Sequence, residues 1–173
     1  MSASLLGCTG LTSIHCQIQD PDTSFPALAS LISHYSSQLV TFSVKVLSRS
    51  RQDILDTLFT DDTSFTALKE LGLFRANLRP LEDFLKQTNG RTFPQLSVLY
   101  LEATNWAEVE GLLKKAALRN VHYLELLDYE GRASSNAERQ MIRIAEQLDI
   151  KMHMHDAQCD CTSESNSAVY IAI

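Results

Sequence analysis

The sequence predicts an α/β fold of stacked strand–helix units, parallel strands on one face and helices on the other. Three observations carry that expectation. A short apolar pattern returns at nearly constant spacing, a helical stripe runs in phase with it, and the period suits one crossover between parallel strands.

The strand pattern places apolar residues at the first, fourth and sixth positions of a segment. LTSIHC supplies Leu11, Ile14 and Cys16, and LVTFSV supplies Leu39, Phe42 and Val44. LKELGL, LSVLYL and VHYLEL follow with Leu68, Leu71 and Leu73, then Leu96, Leu99 and Leu101, then Val121, Leu124 and Leu126. First positions lie 28, 29, 28 and 25 residues apart, from 11 to 39, 39 to 68, 68 to 96 and 96 to 121. The fourth and sixth residues are two apart, which puts both on one side of a strand.

Between these segments runs the helical stripe. Leu28, Leu31 and Ile32 stand at i, i+3, i+4, as do Leu55, Leu58 and Phe59; Leu81, Phe84 and Leu85; Val109, Leu112 and Leu113; and Met141, Ile144 and Ala145. Each triplet is the apolar stripe of an amphipathic helix. Pro26 and Pro80 suit a first helical position, whose amide has no partner. Asn105 with Glu108, and Ser135 with Glu138, have capping-box spacing, and Asn89-Gly90 suits a helix exit. One such unit cannot bury its own apolar edge, whereas a stack buries a continuous core.

The repeats resemble those of the leucine-rich repeat family. LKELGLFRANL from Leu68 and LSVLYLEATNW from Leu96 are similar to the template L-x-x-L-x-L-x-x-N-x-L, and a period near 28 resembles the ribonuclease-inhibitor-like and cysteine-containing subclasses. The resemblance spans roughly Leu11 to Asp156. It departs from the template at the ninth position, where Gln19, Leu47, Ala76, Thr104 and Tyr129 replace the usual Asn or Cys. It implies an α/β solenoid with parallel strands on the concave face and helices on the convex face. It also implies protein binding, as in the substrate receptors of ubiquitin ligases, here without a discernible F-box.

Residues 1–156 are thus expected to form the repeat domain, about five repeats plus a possible sixth strand, and 157–173 a polar tail with a short apolar end. That end either adds a strand at an exposed edge or stays frayed. No polar capping unit precedes the first repeat. The expectation is an array that continues beyond this chain, or an open end covered by self-association or a partner.

Composition narrows the partners. A net charge of −6 argues against nucleic acid and anionic membranes, which need clustered cations. The four cysteines, Cys8, Cys16, Cys159 and Cys161, show no disulfide framework, so a reducing compartment, cytoplasmic or nuclear, is expected. No phosphate-cradling loop, serine elbow or H-E-x-x-H motif is present, and neither catalysis nor a cofactor is expected.

The second, third, fifth and seventh positions of each segment should point away from the core. Over the last three strands they bring together Phe74, Tyr100, Tyr123 and Leu127, with Glu70, Glu102 and Glu125 beside them. Exposed aromatics rimmed by charge are typical interface anchors, and the acidic rim suits a partner surface with Arg or Lys. The same rings could instead simply pack on their strand neighbours. A rival reading uses His153, His155, Cys159 and Cys161, which include the donors zinc prefers, in a metal-binding or enzymatic regulator. Against it, C-x-C is not the C-x-x-C knuckle. The alternative for that segment is a sixth strand with Met152 and Met154, or Ile150 and Met152, turned inward.

Overall fold

The computed structural model describes residues 10–18, 21–47, 58, 63–75, 78, 81, 93–102, 106–114, 118–128, 135–156 and 170–172. Six strands follow one another: β1 (Ser13–Ile18), β2 (Thr41–Val46), β3 (Glu70–Phe74), β4 (Val98–Glu102), β5 (Tyr123–Asp128) and β6 (Lys151–Asp156). A short β7 (Tyr170–Ala172) ends the described chain. The three described helices are α1 (Pro21–Tyr35), α2 (Trp106–Leu113) and α3 (Ser135–Gln147).

All strands join one sheet in the order β6-β5-β4-β3-β2-β1-β7, and every pairing is parallel. The sequence period reappears as the register. Ser13 pairs with Thr41, Thr41 with Glu70, Glu70 with Val98, and Val98 with Tyr123, each the third residue of its segment. The expected sixth strand is β6, where Tyr123 pairs with Lys151.

A repeated backbone junction sets that register. The carbonyls of Thr12, Val40, Lys69 and Ser97, at each segment's second position, each accept two amides from the next unit, as in Val40 and Thr41 donating to Thr12. Just upstream, Leu68 donates to the Phe65 carbonyl, Leu96 to Phe93 and Val121 to Leu118. The same tight turn thus feeds each of these three strands.

Alternation divides the sheet into two faces. β1 and β2 both read part-buried, buried, part-buried, buried, exposed, buried. The fully buried side chains of the strands share one cluster with Leu28, Leu31, Ile32, Val109, Leu112, Met141 and Ile144 from the helices. The described helices therefore cover the same face, and full burial of each such side chain contributes roughly 1.5–3 kcal/mol. Met152 and Met154 pack against this cluster from β6, and Ile150 just before the strand is buried in it, so the residues of both inward pairs turn to the core.

Two expected helix signals shift. Pro26 lies inside α1, which begins five residues earlier at Pro21. A proline does occupy the first helical position, but it is Pro21, where the absent amide costs nothing. α2 begins directly after Asn105, and α3 begins at Ser135 itself. Of the second and third stripes, Leu58 and Leu81 are helical and buried, whereas Leu55, Phe59, Phe84 and Leu85 lie outside the described residues, as do Pro80, Asn89 and Gly90.

α3 ends in a Schellman motif. Asp149 has φ 55°, its amide bonds the Glu146 carbonyl, and the Ile150 amide bonds the Ala145 carbonyl. Burial of Ile150 supplies the accompanying apolar contact and starts the chain into β6.

Candidate functional site

On the open face of the sheet the side chains fall into three rows set by register. The first runs Ser13, Thr41, Glu70, Val98, Tyr123, Lys151. The second runs His15, Ser43, Gly72, Tyr100, Glu125, His153, and the third begins Gln17, Lys45, Phe74 and resumes at Glu102, Leu127, His155. Tyr100, Tyr123, Glu70, Glu125, Phe74 and Leu127 are all part-buried, with no helix over them among the described residues.

Tyr100 and Tyr123 meet edge-on with ring centroids 6.4 Å apart. Tyr123 stacks on His153 at 5.5 Å. Three adjacent strands thus contribute one run of rings, held together as aromatic cross-strand neighbours on a sheet commonly are. His153, a metal-donor candidate of the rival reading, is an exposed ring at the end of this run. Its inclusion was legible as a fifth-position residue of the sixth strand.

Two carboxylates flank the rings. The Tyr123 hydroxyl donates to Glu125 Oε2 at 3.3 Å. Partial burial, then the charges of Glu70 and Glu125 and neighbouring Tyr123, push the Tyr100 phenol above its ordinary value. Tyr123 is raised too, by desolvation and by Glu125. The rings therefore lie in a negative field, in which a cation is favoured and a phenolate is not.

Glu102 is not part of that rim. It is 4% exposed, and Arg75 Nε donates to its Oε1 at 3.1 Å. Arg75 follows β3 with φ 56°, a left-handed turn that takes the chain out of the strand. The pattern counted the seventh position as outward, but Glu102 closes the strand end and its charge is answered there.

Phe74 also differs from a projecting anchor. A Cβ built on Gly72 would lie 2.8 Å from Phe74 Cε2 and 2.8 Å from Ser43 Cβ. The Phe74 ring therefore folds back over Gly72, occupying the place of the side chain that Gly72 lacks. Gly72 is the glycine that the sequence pattern passed over, and its signal was its position, outward in the middle of a strand.

At the β1 side, Ser43 Oγ lies 2.6 Å from His15 Nδ1, and Ser13 Oγ lies 3.2 Å from Nε2. Burial lowers the His15 pKa, and the charge of Glu70 offsets part of that shift. A neutral ring with a hydroxyl on each nitrogen satisfies either tautomer.

Cys16 faces the core, where burial pushes its thiol up to about 12 and makes it unreactive. Among the described residues no three His, Cys, Asp or Glu side chains converge as a metal site, and Cys159, Cys161 and the His155 side chain lie outside them. No described helix is long and apolar enough to cross a membrane. No protein-family model, curated protein or solved structure matched the chain.

Proposed function

We propose that this chain is a leucine-rich-repeat-like solenoid that recognises another protein through the open, concave face of its sheet and catalyses nothing itself. It would serve as the recognition part of a larger intracellular adaptor. The observation that carries the reading is the run of Tyr100, Tyr123 and His153, side by side and part-exposed, in the negative field of Glu70 and Glu125. Large, rigid rings in a cluster gain more from covering by a partner than scattered apolar residues do. The regular register supports the reading as well, because it aligns outward positions of successive strands into one continuous surface.

The test is affinity capture from the native cell with the wild type and a Tyr100→Ala, Tyr123→Ala double variant of matching circular dichroism. A partner held by the wild type and lost by the variant is the expected result. Equal capture by both proteins overturns the assignment of this face.

A further inference from the structure

We infer that the open face between β3 and β5 is a seat for an arginine side chain of the bound protein, its guanidinium plane on the Tyr100 ring and its N–H edges toward Glu70 and Glu125. The inference rests on the recognition reading above and specifies the chemistry of the partner.

Geometry makes the seat. Glu125 is the register partner of Tyr100 on one side, and Gly72 is its partner on the other. Gly72 presents no side chain, and the Phe74 ring lies over it as a low wall. Glu70 starts β3 two residues before Gly72 and reaches Tyr100 electrostatically, as Glu125 does from β5. The floor is thus aromatic and a carboxylate stands on each flank.

Charge supplies the second argument. Glu102, the third acid expected on this rim, is already answered by Arg75. Glu70 has no ion-pair partner among the described residues, yet its charge reaches His15 and Tyr100. Its field therefore falls on the open face. Lys45, Lys69 and Lys151 are exposed, but none of them forms an ion pair with Glu70 among the described residues. A cation brought by a partner meets an attractive field over a π surface.

The separation of the acids selects arginine over lysine. They stand two strands apart and two residues out of register, so their backbones are about 12 Å apart. A compact ammonium serves one such carboxylate at a time. A guanidinium carries five donors in a planar fork, stacks on an aromatic face and directs donors to both sides.

The test uses hexa-arginine, hexa-lysine and hexa-citrulline peptides with the full chain, read by calorimetry and by NMR of the tyrosine rings. Hexa-arginine is expected to bind at least tenfold tighter than hexa-lysine and to shift Tyr100 and Tyr123, with hexa-citrulline silent. The isosteric pair Glu70→Gln, Glu125→Gln should bring hexa-arginine down to the hexa-lysine level, while Glu138→Gln on α3 leaves it unchanged. Equal binding of the two basic peptides, or indifference to the Glu70 and Glu125 changes, overturns the seat. If capture of a native partner still depends on Tyr100 and Tyr123 in that case, the recognition face stands without its arginine. If neither depends on them, both fall.

Discussion

At Gly72 the sheet trades a side chain for a ring. Any Cβ there meets the Phe74 ring and the Ser43 Cβ at 2.8 Å, and the second of these sits too close to backbone to move away. Gly72→Ala is expected to cost about 1–3 kcal/mol through overpacking and to swing Phe74 outward, measured by denaturant melts and by the Phe74 ring signals. Arg75 carries a different burden. With Glu102 4% exposed and Arg75 30% exposed, Arg75→Met leaves a buried carboxylate with its charged partner removed. A loss of about 1–3 kcal/mol is expected, below that of a fully buried pair because water still reaches the arginine. His15 adds a pH dependence. Its folded pKa is lowered, so the unfolded chain takes up the proton first as pH falls below the ordinary value of 6.5. Its contribution to stability is complete above that value, declines as pH falls through it, and levels off below the folded pKa. His15→Gln should therefore narrow the difference in melting temperature between pH 7.5 and pH 5; an unchanged difference would mean that burial does not hold this ring neutral.

Among the elements, the strands were legible because a period-two pattern on a half-covered sheet is fixed by which face is dry. The apolar fourth and sixth positions, from Ile14 and Cys16 to Leu124 and Leu126, are all buried. Strand starts were less legible, since each strand begins at the third residue of its segment and the first apolar residue belongs to the turn before it. What escaped the pattern was a column of residues just upstream. Phe42 stacks on Phe65 at 6.4 Å, and Phe65 on Phe93 at 5.4 Å. Phe65 and Phe93 each stand three residues before a strand segment, and Leu118 holds the same place before Val121. Their spacing was visible in the sequence, but they sit in turns, where neither a strand nor a helix period operates. Phe65→Ala removes the middle ring of this column and should cost about 3–5 kcal/mol in a thermal or denaturant melt. A small loss would show the turn to be held by its backbone bonds alone. The candidate site was legible by the same logic up to its exceptions. Tyr100, Tyr123 and Glu125 stand on the open face as alternation places them, whereas Glu102 and Phe74 share that face without projecting from it, because one closes a strand end and the other fills the space over a glycine.

Across the whole molecule the two ends of the sheet are treated differently. Each unit hands its amides and carbonyls to the next, so the hydrogen-bonding demand is passed along until it reaches β1 and β6. At β1 the chain's own C-terminal strand takes it up: His15 pairs with Tyr170, Cys16 with Ile171 and Gln17 with Ala172. The apolar end of an otherwise polar tail thereby acquires a physical role, and of the two outcomes open in the sequence it takes the added strand. An edge left bare at this point is a template for another chain, because β1 is flanked by apolar alternation and its outer backbone groups need partners. Removal of residues 157–173 is expected to leave the core of β1 to β6 folded, lower stability by about 1–2 kcal/mol for the few lost backbone bonds, and produce concentration-dependent association. Sedimentation velocity across a range of protein concentrations reads the association directly. A synthetic peptide of residues 168–173 added in trans should reverse it by occupying β1 again. A truncated chain that stays monomeric with an unchanged melting temperature would show that β7 contributes nothing to the edge, and that β1 is protected by its own short length.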